Sequence, residues 1–133
     1  MSYYFSTILQ KTSYEDAIEL ATQELAKEGF GILTQINVKE TLKKKIDVDF
    51  RPYIILGACN PHFAHKALQA EVKSGVFLPC NVVVEQLEDG TVEVSTVDPI
   101  AMMASVENTE LAGLAAEVRE KVQRVIKGVA AAE

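Results

Sequence analysis

The sequence is poor in several features that would narrow its role. Only two cysteines, Cys59 and Cys80, occur among 133 residues. They form no Cys-x-x-Cys pair, which excludes a disulfide scaffold of the secreted kind and suits a reducing compartment. Positive charge is also scarce. Thirteen Lys and Arg face nineteen Asp and Glu, for a net charge of −6, so the chain lacks the basic field needed to wrap nucleic acid or dock on an anionic membrane. No run of apolar residues is long enough to span a bilayer. The opening MSYYFSTILQKTSYEDA has no basic start followed by an apolar stretch and small residues, so it does not read as an export signal. These absences lead to the expectation of a cytoplasmic protein that binds neither nucleic acid nor membrane.

What the chain does contain is an ordinary globular balance, 48% hydrophobic and 24% charged. That balance excludes a wholly disordered chain or a collagen-like repeat. Residues 1–133 read as one domain without internal repeat or low-complexity linker, long enough to bury roughly two-thirds of the extended chain's surface.

Periodicity supplies the elements. Tyr3 to Leu9 alternates, with Tyr3, Phe5, Thr7 and Leu9 on one face of a strand. Thr12 or Ser13 then caps a helix striped by Tyr14, Ala17, Ile18, Ala21 and Leu25, and Gly29 ends it in a left-handed conformation. Phe30 to Ile36 reads as a second strand. Asn37 with Glu40 opens a short helix, Val38 to Ile46, placing Val38, Leu42 and Ile46 on one side and Lys43, Lys44 and Lys45 in water. The unbroken run in Tyr53 to Cys59 suggests a strand buried on both faces near the sheet's centre. Asn60-Pro61 is a strong helix start for His62 to Val72, with Ala64, Ala67, Leu68 and Glu71 sharing a face. Pro79 to Leu87 and Thr91 to Val97 flank a three-residue Glu88-Asp89-Gly90 hairpin loop, whose register puts Val82, Val84, Val92 and Val94 on the same side. Asp98-Pro99 forms a turn, followed by Met102 and Met103. Asn108 caps a long amphipathic helix striped by Leu111, Leu114, Val118, Val122, Val125 and Val129, with Glu117–Lys121 and Glu120–Arg124 at helical spacing on its other side.

Reactive residue types concentrate in one stretch, Gly57-Ala58-Cys59-Asn60-Pro61-His62-Phe63-Ala64-His65, followed by Leu78-Pro79-Cys80-Asn81. Cys59 ends a strand just before a helix N-terminus, where unpaired N–H groups and the positive end of the dipole favour an anion. Gly57 leaves its strand face open to close approach by another group. Topology decides whether the cysteines meet. Antiparallel neighbours bring them to one sheet edge, whereas parallel strands separate them by roughly 20 Å at about 3.3 Å per residue. The connection between the two strands fits either arrangement. His-x-x-His spacing of His62 and His65 is a weak metal signal without further ligands. No paired-carboxylate motif, phosphate-binding glycine loop, nucleophile elbow or four-ligand zinc pattern is present.

The run YIILGACNPHFAHKAL, with GVFLPCNVVV and the VDP that follows the hairpin, resembles the bacterial and archaeal domain of unknown function family numbered 302. The resemblance extends from the first strand to about Met103. It implies an α+β fold in β-α-β(4)-α order with short extra helices in the connections, similar to a single copy of the TATA-box-binding-protein fold. A mostly antiparallel five-stranded sheet would carry its helices on one face, often in a homodimer. That order favours the antiparallel meander and so places Cys59 and Cys80 side by side. The motif positions it carries are Gly57, Cys59, Asn60, Pro61, Leu78, Pro79, Cys80, Asn81, Asp98 and Pro99. It implies no activity, and fold likeness to a DNA-binding protein transfers none.

Three functional expectations follow. One is a non-catalytic ligand-binding or sensing homodimer, with a site at Gly57, Cys59, Asn60, Cys80 and Asn81 holding a small molecule, haem or a metal. For the metal, the candidate ligands are Cys59, Cys80, His62 and His65. Another is a thiol enzyme or redox protein in which Cys59 reacts, Cys80 resolves and His65 assists. In the third, both cysteines are core packing and the dimer surface alone is functional. No cofactor is specified by the residues themselves.

Overall fold

A computed structural model describes residues 2–133. Strand β1 (Tyr4–Leu9) turns the alternation of the first segment into a half-covered strand, burying Leu9 and half-burying Phe5 and Thr7. Tyr3 lies outside the strand and is exposed. Helix α1 (Tyr14–Lys27) is capped by Ser13, whose Oγ accepts the Asp16 N–H at 3.1 Å. Its stripe buries Ala17, Ala21 and Leu25. Gly29, at φ +85°, makes the left-handed exit. A substituted residue would be strained there and would also crowd the Asn60 side chain.

Strand β2 (Gly31–Asn37) leads into α2 (Val38–Ile46), capped by the Asn37 side chain, which accepts the Glu40 N–H. Lys43, Lys44 and Lys45 are exposed as expected and Val38 and Leu42 are half-buried, but Ile46, expected on the same apolar side, is exposed, and α2 buries no residue fully. The helix sits in the β2–β3 connection and packs against those two strands, which half-bury Val38 and Leu42.

Strand β3 (Tyr53–Cys59) pairs antiparallel with β2 and with β4 (Cys80–Gln86). Strand β5 (Val92–Val97) links β4 to β1, giving the order β1-β5-β4-β3-β2 with every neighbouring pair antiparallel. The central strand is therefore β4, with β3 beside it. The expected burial of β3 on both faces is also corrected. Ile54, Leu56 and Ala58 are buried, whereas Tyr53, Ile55 and Cys59 are only half-buried, because helices cover one face alone. The hairpin register places Val82, Val84, Val92 and Val94 inward at 0–1% exposure, as the alternation requires.

Helix α3 (Pro61–Ala70) stops short of Val72, and a 3₁₀ segment follows at Val72–Phe77. Its inner face is Phe63, Ala64 and Ala67, while Leu68 is 41% exposed, so the face expected from spacing is rotated. A four-residue helix, α4 (Pro99–Met102), begins at the Asp98 cap. The long α5 (Thr109–Ala131) buries Leu111, Ala115, Val118, Val122, Val125, Ile126 and Val129 against the sheet and α1. On its outer side, Lys121 and Arg124 both turn to Glu28 at the end of α1, at 3.9 and 3.0 Å. Interhelix pairing thus replaces the intrahelical pairs expected with Glu117 and Glu120. Gly128 lets α1 approach, because a Cβ there would collide with the Glu24 carboxylate. Among the described residues, no helix is long and apolar enough to cross a membrane.

Candidate functional site

The antiparallel pairing of β3 with β4 settles the question of reach. Ala58 lies opposite Cys80, and Cys59 is the next residue along. Alternation within a flat strand would send Cys59 to the face opposite Cys80. The strand ends at Cys59, however, and the chain turns into α3, and both cysteine residues line one cavity of about 40 Å³. Its walls come from the end of the sheet, α3, α4 and its exit, and the start of α5: Phe30, Phe63, Ala64, Ala67, Pro99, Met103, Leu111, Leu114 and Val118 among them. Cys80 is buried and Cys59 half-buried. Burial first, and the neighbouring Cys59 second, push the Cys80 thiol up to about 11. Cys80 is thus held protonated at neutral pH.

Asn60 also lines this cavity, but its polar atoms are already engaged. Its Oδ1 accepts the Phe63 N–H at 3.4 Å, capping α3, and its Nδ2 donates to the Glu28 carbonyl at 3.3 Å. The side chain fastens the β3–α3 corner to the end of α1. Asn108 repeats the device, capping α5 through the Leu111 N–H at 3.0 Å while donating to the Ala70 carbonyl at 2.9 Å. The two asparagines anchor the helices that roof the cavity. Asp98 performs a related task, accepting the Ile100 N–H at 3.0 Å to cap α4 and the Arg119 Nε–H at 3.3 Å.

The remaining expected site residues are placed elsewhere. Asn81 is exposed on the opposite sheet face, in a shallow groove with Tyr3, Tyr4, Tyr53 and Glu85. Gly57 belongs to that face as well, and the group approaching it is part of the protein. A Cβ at this position would strike Thr34 Oγ1 and come within 2.8 Å of the Pro79 ring. Its small size is thereby explained by packing. His62 and His65 are both exposed on α3, and neither lines the cavity. Among the described residues, no group of three or more His, Cys, Asp and Glu side chains could hold a metal ion, so the four-member set of Cys59, Cys80, His62 and His65 is not assembled. Sequence reasoning missed Met103, Phe30 and Phe63. Met103 lies just past a four-residue helix too short to show periodicity, and the two phenylalanines meet only when β2 and α3 converge.

The fold and its sulfur-bearing cavity define an α+β domain with an open antiparallel sheet, helices on one face and a small, partly open pocket at one end. The family model described as "Domain of unknown function DUF302" matches residues 5–129, and the chain belongs to that family. A solved structure, described as an uncharacterized conserved DUF302 protein from Bacillus stearothermophilus, is similar over 97% of this chain and 99% of that one. Their sequence identity is 29% and the TM-score 0.89. No curated protein matches the chain.

Proposed function

We propose that this protein is a homodimeric ligand-binding or sensing domain whose site is the cavity flanked by Cys59 and Cys80. The observation that carries this reading is the cavity itself. Two unbridged cysteines line a partly open space whose other walls are largely apolar, and the one amide beside them is consumed in structural hydrogen bonds. The volume of about 40 Å³ exceeds the ~10–15 Å³ that one water needs, but falls far below the ~300–1,000 Å³ of drug-sized ligand pockets. A small molecule or single ion suits it, whereas a haem would require the walls to part. The thiol-enzyme alternative is weakened by the exposed position of His65, which leaves no base within the cavity.

The second copy would sit on the uncovered sheet face. Tyr4, Ile8 and Ile36 are 43%, 50% and 48% exposed there, flanking half-buried Ile55, Val83 and Val97. Apolar side chains from several strands thus share a face that no helix covers, as self-association through a two-fold axis would use. Sedimentation of the chain and of an Ile8→Glu/Ile36→Glu variant tests this, with a dimer expected for the first and a monomer for the second.

The site is tested by thermal unfolding against a panel of small ligands. The melting temperature should rise with a true occupant. The rise should shrink in Cys59→Ala/Cys80→Ala and disappear in Ala64→Leu, which fills the cavity. A response of wild-type size in both variants would place the binding elsewhere.

A further inference from the structure

Three sulfur-containing residues border the cavity. The cysteines arrive from the ends of two paired strands, and Met103 comes from the turn after α4, more than twenty residues beyond Cys80. No histidine or carboxylate lines the same space. This donor set is soft throughout, and it is short of the four ligands that a tetrahedral zinc site requires. Thiolate and thioether ligands with nothing harder beside them select a monovalent, polarisable ion that accepts two or three ligands, foremost Cu(I).

The surroundings agree with that chemistry. A largely apolar space of about 40 Å³ accommodates a bare ion but not its hydration shell plus a chelating cofactor. Cys59 is half-buried, whereas Cys80 is buried. Cys59 also stands one residue before the Asn60 cap of α3, a ten-residue helix whose N-terminus offers its positive end to the negative charge of a bis-thiolate centre.

We infer that Cys59 and Cys80, supported by Met103, form a binding site for a single Cu(I) ion. This inference rests on the ligand-binding reading above and specifies its occupant. On binding, each cysteine S–H gives its proton to bulk water and each sulfur forms one bond to the ion. Copper remains in the +1 state, and the two thiolates with Cu(I) leave a centre of net charge −1. Met103 donates a sulfur lone pair without losing a proton, so no oxidant or reductant is consumed.

The test titrates reduced, tag-free protein into the coloured Cu(I)–bicinchoninate complex without oxygen, with Zn(II) and a zinc-responsive chromophore in parallel. Wild type should withdraw one equivalent of Cu(I) per chain and develop a near-ultraviolet thiolate-to-copper band, while leaving Zn(II) with its chelator. Cys59→Ser and Cys80→Ala should each abolish the band, with circular dichroism confirming that the fold persists. Met103→Leu, which keeps the volume, should retain the stoichiometry but weaken Cu(I) binding by about tenfold, as loss of a supporting metal contact does. Failure of wild type to withdraw Cu(I), equal withdrawal by both cysteine variants, or equal uptake of Zn(II) would overturn the site. If Cu(I) is refused while a small apolar ligand still raises the melting temperature of wild type but not of Ala64→Leu, the copper assignment alone falls. If neither binds, the ligand-binding reading falls with it.

Discussion

The covered face of the sheet has two ends, and they are built differently. At one end Val84, Val92 and Val94 meet Val122, Val125 and Val129 at 0–1% exposure, closed by the long α1 and α5. At the other, α3, α4 and the start of α5 meet the end of β3 through small side chains, Ala58, Ala64, Ala67 and Ala115, and a cavity lined by two cysteines and Met103 remains. The same sheet and α5 run through both. Side-chain size separates a region packed as tightly as protein interiors normally are from one that leaves room for a guest. The valine end is scaffold and the cysteine end is site.

The largest expected effect comes from the scaffold. Leu56→Ala, at a position with no exposure, should lower unfolding free energy by about 2–5 kcal/mol in chemical denaturation, as a new core cavity does. If it were tolerated, the tight packing claimed for this region would be wrong.

Next in size is a pH effect confined to the cysteine end. Burial holds the Cys80 thiol near 11 in the fold, against 9.0 for the unperturbed group. The folded pKa is raised, so the stabilisation is complete below pH 9 and is lost as pH rises towards 11, when the unfolded chain ionises first. Stability should fall by as much as about 1.4 kcal/mol per pH unit across that window, and Cys80→Ala should remove this component of the slope. An unchanged slope in the variant would show that Cys80 is not shielded from water.

Gly57→Ala should cost about 1–3 kcal/mol through overpacking against Thr34 and Pro79. Because Pro79 also lines the cavity, ligand response should weaken by no more than a few-fold, far less than in Cys59→Ala/Cys80→Ala. A selective loss of ligand response would return Gly57 to the site. Smallest of all, His62→Ala and His65→Ala, both exposed, should stay within about 0.5 kcal/mol of wild type and leave Cu(I) uptake intact. Loss of uptake in either would contradict the sulfur-only donor set.

Much of the frame was legible in the residues. Ser13, Asn37, Asn60 and Asn108 all cap the helices they precede, because capping is a local matter of a side-chain acceptor and a free N–H. The valine register followed from alternation and the Gly90 turn. The site was less legible. Cys80 and Asn81 are adjacent in a strand and must point to opposite faces, a signal that separates them even though one motif holds both. Phe63 and Ala67 lie one turn apart and define the inner face of α3, which puts His65 on the outer side. Met103 gave no local signal at all, since its place beside the cysteines depends on β5 returning next to β4 and on the turn that α4 makes there.

The most direct test of the division into scaffold and site is methyl NMR of the protein under xenon pressure, since xenon enters dry apolar cavities. The account predicts concentration-dependent shifts at Leu111, Leu114 and Val118 around the cysteine end, and none at Val84, Val94 and Val122. Uniform shifts at both ends, or none at Leu114 and Val118, would contradict it.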